Sequence, residues 1–210
     1  MDPQHLLLSG RPPGDRSIYD EVFRQSVYEK YYTLTPTDIV LDIGAHAGFF
    51  AWKAAQTVQE VYAFEPSPDN FEALEKNTGH LTNVRRYKFA AGSYEHTTDL
   101  WWAPNNSGGH SLYKNLVNQH TVSYRVRVKR LDQYLAPGRI SFVKIDAEGA
   151  EAEIIKGAYE KLSCFRPAMA IEIHSAPIHK EIEALLSPLG YELHAKGGGY
   201  CSMLYAVPHA

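Results

Sequence analysis

The residues best suited to chemistry occupy positions 42–48, which read Asp-Ile-Gly-Ala-His-Ala-Gly. The apolar run Ile39-Val40-Leu41 precedes them, and apolar residues at near-helical spacing follow from Phe49. β-Forming residues, then an acid and a glycine-spaced loop, predict a buried strand that ends in a tight turn. A strand, glycine loop and helix in this order form the unit with which α/β proteins bind nucleotides.

The two glycines of this loop suggest which ligand it binds. Gly44 permits the sharp turn, and Gly48 lets a ligand approach the start of the helix without a Cβ in the way. The spacing is not the Gly-x-Gly-x-x-Gly that seats a pyrophosphate, and no Lys-Ser or Lys-Thr pair follows. Asp42 at the strand end suits a ligand with positive charge, such as the amino group of S-adenosylmethionine. The alternative is a loop whose glycines only allow close packing of helix and strand.

A second acid follows the next predicted strand, which comprises Val58 and the run 61–64. Glu65 comes twenty-three positions after Asp42 and is followed by Pro66. Nucleotide-binding α/β units place their ribose-binding carboxylate at about this distance. We therefore predict that Glu65 binds the ribose hydroxyls, although an acid at a strand end is often only a helix cap.

Three further polar groups end two later strands, 140–146 and 168–174. Asp146, Glu172 and His174 should meet at one edge of the sheet, where α/β folds bind ligands. His174 has the ordinary pKa that suits a general base at neutral pH, and Asp146 could instead hold the amino group of the cofactor. The alternative is that all three are only caps and ion-pair partners. They could also bind a divalent cation, but their spacing matches no clear metal motif, so the sequence predicts none.

Other predicted elements would position these groups. An amphipathic helix capped by Ser17 should lie within an N-terminal extension, residues 1–37, beside the site. Small residues at 90–92, Ala91 among them, would leave space for an adenine ring. Residues 94–128 interrupt the alternation of strands and helices and are predicted to form a strand-and-loop insertion. The polar loop 105–113 within it is a candidate for contact with the substrate. Two terminal runs, 191–194 and 202–207, predict a final antiparallel hairpin.

A lysine within the 140–146 strand needs a partner, because an unpaired buried charge is costly. Lys144 shares a face with Asp146, so the two could neutralise each other, or Lys144 could pair with a neighbouring acid.

Length and composition indicate one ordinary domain. The chain has 210 residues, 44% hydrophobic and 21% charged, with a net charge of −3 and a pI near 6.4. That balance argues against a broad nucleic-acid-binding surface. No secretory signal and no membrane-spanning run is recognised, so we expect a cytoplasmic protein without a membrane partner. Cys164 and Cys201 are expected to be reduced thiols that serve packing.

The sequence resembles the FkbM-type methyltransferases, a branch of the class I S-adenosylmethionine-dependent enzymes. The resemblance rests on the 42–48 loop, Phe64-Glu65-Pro66 and Arg130-Leu131-Asp132, and most specifically on the run 142–151 with Gly157-Ala158. Pro167 and Glu172-Ile173-His174 complete it. It implies an α/β Rossmann-like fold, with a mostly parallel seven-stranded sheet, an antiparallel last strand and helices on both faces. It also implies S-adenosylmethionine as cofactor and methyl transfer to a hydroxyl of a small molecule such as a sugar or polyketide.

The predicted site has two parts. The catalytic residues are Asp146, His174 and Glu172. The cofactor contacts are Asp42, Gly44, Ala45, His46, Gly48, Phe49, Glu65, Pro66, Ala91 and Asp146.

Other functions remain open at this point. An NAD-dependent oxidoreductase would use Glu65 in the same way, but a third glycine is missing and the C-terminus reads as a hairpin. An N-methyltransferase acting on a small molecule or peptide is another alternative, as is a non-catalytic cofactor-binding module. A nucleic-acid methyltransferase is disfavoured because the basic residues are scattered. No prediction of oligomeric state follows from the sequence.

Overall fold

The computed structural model describes residues 3–6, 11–103, 106–117, 122–134, 138–197 and 202–209. Cys201, Asn105 of the polar loop and part of the turn of the terminal hairpin lie outside these residues.

A seven-stranded sheet forms the centre of the fold. Including a smaller second sheet, the strands are β1 (Ile39–Ile43), β2 (Glu60–Phe64), β3 (Val84–Tyr87), β4 (Ala90–Ala91), β5 (His96–Trp101), β6 (Ser123–Lys129), β7 (Phe142–Ile145), β8 (Ala168–Ile173), β9 (Tyr191–Lys196) and β10 (Ser202–Pro208). The order across the large sheet is β3-β2-β1-β7-β8-β10-β9. The first five of these strands run parallel, and β10 is antiparallel to both β8 and β9. The predicted α/β fold and its reversed last strand are therefore confirmed.

Helices cover both faces of this sheet. They are α1 (Asp15–Asp20), α2 (Phe49–Ala55), α3 (Pro68–Thr78), α4 (Glu151–Gly157), α5 (Tyr159–Phe165) and α6 (Ala176–Leu186). One hydrophobic core lies under α4, α5 and α6, and the other lies under α2, α3 and the N-terminal segment. Burial on both faces explains why the central strands read as continuous apolar runs.

The insertion predicted at 94–128 contributes two strands of the second sheet. β6 is its centre, parallel to β4 and antiparallel to β5. The chain between β5 and β6 includes residues 106–112, which return toward the carboxyl edge of the large sheet.

The N-terminal helix differs from its prediction. It begins at Asp15 after Gly14, and the Ser17 hydroxyl donates to the Gly14 carbonyl at 3.0 Å instead of capping the helix. After α1 the chain continues as a π-helical turn, Glu21–Gln25, and a 3₁₀ turn, Val27–Glu29. The expected position beside the site is confirmed, because this segment contributes to the wall of the cleft described below.

Two smaller expectations can be compared with the structure. Cys164 is a free thiol, but it is exposed, so its predicted packing role is wrong. Among the described residues, no helix has the length and apolar character needed to cross a bilayer. The cytoplasmic location stays a prediction.

Candidate active site

A cleft with an empty volume of about 830 Å³, its open mouth included, lies at the carboxyl ends of β1, β2 and β7. Eight of the ten predicted cofactor residues line it: Gly44, Ala45, His46, Phe49, Glu65, Pro66, Ala91 and Asp146. Its far wall comes from the N-terminal segment through Ile18, Val22 and Tyr28. Three strand ends and a covering segment therefore enclose one elongated site.

The two glycines of the 42–48 loop are required for different structural reasons. Both have positive φ, +74° at Gly44 and +81° at Gly48. A Cβ on Gly44 would overlap the backbone carbonyl of Asp146, so this glycine lets β1 and β7 meet at the cleft. A Cβ on Gly48 would lie 2.6 Å from Leu74 Cδ1 of α3. Gly48 does not line the cleft, so the prediction that it admits a ligand is wrong and its role is helix packing.

His46 links the loop to the next strand. Its φ of +53° is a left-handed conformation, which histidine adopts more readily than most residues. Its backbone N–H donates to Glu65 Oε2 at 2.8 Å, and its Nε2 lies 3.1 Å from Arg11 Nη2. Burial lowers the pKa of its imidazole to about 3, so the ring is neutral at physiological pH. His46 therefore holds Glu65 in place without adding charge to the cleft.

Glu65 is anchored at the end of β2 with 5% of its surface exposed. Its second oxygen, Oε1, accepts the Ser67 N–H at 2.8 Å. Burial raises the pKa of this carboxyl to about 7, although the two backbone N–H groups favour the ionised form. A carboxylate oxygen has two lone pairs, so each oxygen can accept one more hydrogen bond from a ligand.

Asp42 does not face the cleft as predicted. It is fully buried and lies 3.2 Å from Lys144 Nζ, because the two residues are register partners on β1 and β7. Lys144 also lies 3.6 Å from Asp146 and donates to the Gly44 carbonyl at 2.5 Å. The pairing predicted for Lys144 is thus confirmed. Burial alone would lower the pKa of this ammonium, but the two carboxylates raise it above its ordinary value, so it stays charged.

Asp146 and Glu148 line one end of the cleft, and His174 lies beside them without lining it. One donor atom from each lies within 4.8 Å of the other two. His174 Nε2 is 3.3 Å from Glu148 Oε2, and His174 Nδ1 is 2.9 Å from Glu151 Oε1. The Tyr28 hydroxyl donates to Asp146 at 3.2 Å from the N-terminal segment.

These neighbours change the chemistry expected of His174. Burial alone would lower the pKa of its imidazole, but the hydrogen bonds and charges of Glu148 and Glu151 raise it to about 11. An imidazolium carries no free lone pair and cannot accept a proton. The general-base role of His174 stays a prediction, and it requires that the ring first lose this proton.

Glu172 lies at the same edge of the sheet. Ile145 pairs with Ile171 in the β7–β8 register, so Asp146 and Glu172 follow as neighbours one step further on. The charge of Glu172 contributes, after burial and Asp146, to raising the pKa of Tyr28. Glu172 is half-buried and, unlike Asp146, is not among the residues that line the cleft.

The mouth near Glu65 is closed by contacts between distant parts of the chain. Arg11 pairs with Asp15 at 2.8 Å and donates to Asn70 Oδ1 at 2.8 Å. The Asn70 amide donates to the Ser107 carbonyl at 2.8 Å, and the Ser107 hydroxyl donates to Asp15. We call these four residues the cover. They join the N-terminal segment, α3 and the insertion over the cleft.

Sequence reasoning did not assign functional roles to several of these residues. Glu148 and Glu151 were recognised only as part of a family motif, although an acid two positions after Asp146 was a usable signal. Tyr28 lies in the N-terminal extension, for which the sequence predicts only an amphipathic helix beside the site. No local pattern marked the cover, because it forms from three separated segments.

The strand order with a reversed β10, and a cleft with an acid at the ends of β2 and β7, are the architecture of the class I, Rossmann-like methyltransferases. The chain belongs to the Methyltransferase FkbM domain family, whose sequence profile matches residues 42–193.

Several similar proteins are also named as methyltransferases. The chain is 27% identical to "Methyltransferase sdnD" of Sordaria araneosa over 84% of this chain and 82% of that protein. It is also 27% identical to "Hexuronic acid methyltransferase AglP" of Haloferax volcanii over 71% of this chain and 62% of that one. Among solved structures, an FkbM methyltransferase from Methylobacillus flagellatus KT superposes with a TM-score of 0.64 at 18% identity. That match covers 98% of this chain but 50% of the other, and it supports the fold.

Proposed function

We propose that this protein transfers the methyl group of S-adenosylmethionine to a hydroxyl group of a small molecule. The observation that carries the proposal is Glu65, a buried carboxylate at the end of β2 that lines the cleft and keeps accepting capacity on both oxygens. Such a carboxylate matches the two hydroxyl donors of a ribose. Apolar and small residues beside it, Phe89, Ala90 and Ala91, leave a flat space suited to adenine.

The opposite end of the cleft favours a cationic ligand over a dinucleotide. Asp146 and Glu148 both line it. Their charges attract the ammonium and sulfonium groups of S-adenosylmethionine and repel the pyrophosphate of NAD. The NAD-dependent alternative, which Glu65 alone would serve equally well, is therefore less well supported.

The chain would assist the transfer mainly by orienting the reactants. S-adenosylmethionine, when bound, supplies a methyl group activated by its attachment to a sulfonium. Asp146 would hold the amino group of the cofactor, and positioning the acceptor oxygen in line is the largest single demand on the protein. A hydroxyl acceptor must also lose its proton, and we assign its acceptance to Glu172. His174 would then act by holding Glu148, as a positioning residue.

The acceptor class is suggested by relatives and by position in the fold. One relative is named as a hexuronic acid methyltransferase, which favours a polyhydroxylated small molecule over a nucleic acid. We place acceptor selection in residues 1–37 and 94–128, because both reach the cleft and lie largely outside the specific family motifs. Oxygen is favoured over nitrogen as the methylated atom, since a carboxylate is available to take the hydroxyl proton.

Calorimetric titration with S-adenosylhomocysteine and, separately, with NAD tests the cofactor. We expect saturable binding of S-adenosylhomocysteine alone, and binding of NAD alone would overturn the proposal. Incubation with methyl-labelled S-adenosylmethionine and a panel of uronic acids, neutral sugars and amines tests the acceptor. Label transferred only to amines would favour N-methylation.

A further inference from the structure

We propose that Asp146, Glu148 and His174 form a binding site for one divalent cation at the acceptor end of the cleft. This differs from the expectation drawn from sequence spacing, which predicted no metal. The cation site is argued from these side chains and does not depend on the identity of the cofactor.

The geometry of the three donors suits a cation. A divalent ion about 2.2 Å from each ligand needs ligand atoms roughly 3–4.3 Å apart. The three donor atoms lie within 4.8 Å of one another, and the Glu148–His174 pair is already at 3.3 Å. Two carboxylate oxygens and one imidazole nitrogen, which must release its proton to bind the ion, form a mixed donor set for which Mn²⁺ is a better probe than Mg²⁺.

Glu151 provides an independent indication. Its side chain is fully buried, and its Oε1 accepts hydrogen bonds from His174 Nδ1 at 2.9 Å and from the Gly149 N–H at 2.8 Å. Within the described part of the chain, its other oxygen is buried and has no hydrogen-bond partner. Metal-binding histidines typically donate their second ring nitrogen to such a carboxylate, which orients the ring. Here that contact directs His174 Nε2 toward Glu148.

The negative charge around Asp146, Glu148 and His174 also favours a bound cation. Asp42, Asp146, Glu148 and Glu151 are four carboxylates, while Lys144 and His174 are the cationic partners within 4.0 Å that the described residues offer them. When His174 is neutral, Lys144 is the cation that these ion pairs leave to the four carboxylates, so a bound cation would relieve their mutual repulsion. The charge of Asp146 also contributes, after burial, to raising the pKa of the nearby Glu21 carboxyl.

The position of the site suggests what a bound cation would do, and this role rests on the proposed function. Asp146 would give one carboxylate oxygen to the cation and the other to the cofactor amino group. Because Asp146 and Glu148 line the cleft, an acceptor hydroxyl could bind the cation, which would lower the pKa of that hydroxyl. The C–S bond of the sulfonium would break with its electron pair left on sulfur, as the acceptor oxygen forms the new O–C bond. The hydroxyl proton would pass to Glu172. Acceptors with two adjacent oxygens, such as vicinal diols or hydroxy acids, would chelate the cation best.

Titration of the full chain with MnCl₂, followed by the electron paramagnetic resonance signal of free Mn²⁺, tests the site without cofactor or activity. We expect one equivalent to bind, with a dissociation constant on the order of 10⁻⁵ M. Glu148→Gln and His174→Gln should weaken binding at least about tenfold, and Glu151→Gln by about 10–100-fold, because it removes only the orienting carboxylate. No saturable Mn²⁺ binding, or equal binding by Glu148→Gln and His174→Gln, would overturn the proposal.

His179→Gln is the matched control. His179 Nε2 lies 3.6 Å from Glu183 on α6, a histidine–glutamate contact outside the cluster. This variant should bind Mn²⁺ like the unaltered protein, and a comparable loss in it would also contradict the site.

Glu65→Gln separates this inference from the proposed function. It should keep full Mn²⁺ binding and lose affinity for S-adenosylhomocysteine. Binding of Mn²⁺ by a protein that binds no S-adenosylhomocysteine would leave the cation site standing and remove only the proposed function.

Discussion

At the scale of single residues, burial decides which charged groups are available to a ligand. Asp42 and Asp146 come at or just after the ends of adjacent strands and look equivalent in the sequence. The Asp42 side chain is fully buried and neutralises Lys144, whereas the Asp146 side chain is 23% exposed and lines the cleft. The acid of the glycine loop therefore stabilises the sheet edge, and the later acid is left for the ligand.

Glu65 should make cofactor binding depend on pH. Burial raises the pKa of its carboxyl to about 7 in the free protein, while the ribose hydroxyls donate only to the ionised form. Binding therefore favours deprotonation, and affinity should increase as pH rises through about 7. Below that pKa we expect up to about tenfold weaker binding of S-adenosylhomocysteine per pH unit. Calorimetric titration between pH 5.5 and 8.5 measures the effect.

The control for this pH dependence is Glu65→Gln, which keeps the shape of the side chain and cannot ionise. Its affinity should be lower by about 1.5–3 kcal/mol at pH 8 and nearly independent of pH. The neighbouring Lys144 ammonium also acts on this carboxyl and should stay charged over the range, because nearby carboxylates raise its pKa. If the variant shows the same pH dependence as the unaltered protein, another group causes it and the ribose assignment fails.

At the scale of elements, the glycine loop performs two separate tasks. Gly44 is needed where β1 meets the residue after β7, and Gly48 is needed where α2 meets α3. Both have positive φ, but only Gly44 lines the cleft. Substitutions at these positions should therefore have different effects on stability and on binding.

Gly48→Ala should destabilise the fold by about 1–3 kcal/mol, because its Cβ would crowd Leu74 in a left-handed conformation. The folded fraction should still bind S-adenosylhomocysteine with unchanged affinity. Gly44→Ala should lose both stability and binding, since its Cβ would displace the Asp146 backbone at the cleft. Urea unfolding and calorimetry on the same samples separate the two quantities. Lost binding in stable Gly48→Ala would restore a ligand-contact role for Gly48.

At the scale of the whole molecule, the cleft is enclosed by segments far apart in the chain. The cover joins Arg11 and Asp15 of the N-terminal segment to Asn70 of α3 and Ser107 of the insertion. These contacts lie near Glu65 and away from the acidic end, so they would slow release of the cofactor without touching the acceptor.

Ser107→Ala should loosen the cover, because it removes a hydroxyl donor to the Asp15 carboxylate. If the lost hydrogen bond stabilises the intact cover by about 1 kcal/mol, S-adenosylhomocysteine should dissociate roughly fivefold faster. Stopped-flow displacement measures this rate. Ser163→Ala is the control, since that hydroxyl donates only to the Glu160 carbonyl of its own helix at 3.0 Å. Equal dissociation rates in both variants and the unaltered protein would show that the cover does not hold the cofactor.

Much of the fold, and many of the residues that line the cleft near Glu65, followed from the sequence alone. Alternating strands and helices, the glycine loop and the spacing from Asp42 to Glu65 are local patterns, and parallel strands must bring their carboxyl ends to one edge. Tertiary structure decided the rest, because burial and charge pairing depend on residues distant in the chain. It buried Asp42 against Lys144, turned Gly48 toward α3, and placed His174 between Glu148 and Glu151, whose charges raise the pKa of its imidazole. The sequence determined which groups reach the edge of the sheet, and only their packing determined the charge each one carries there.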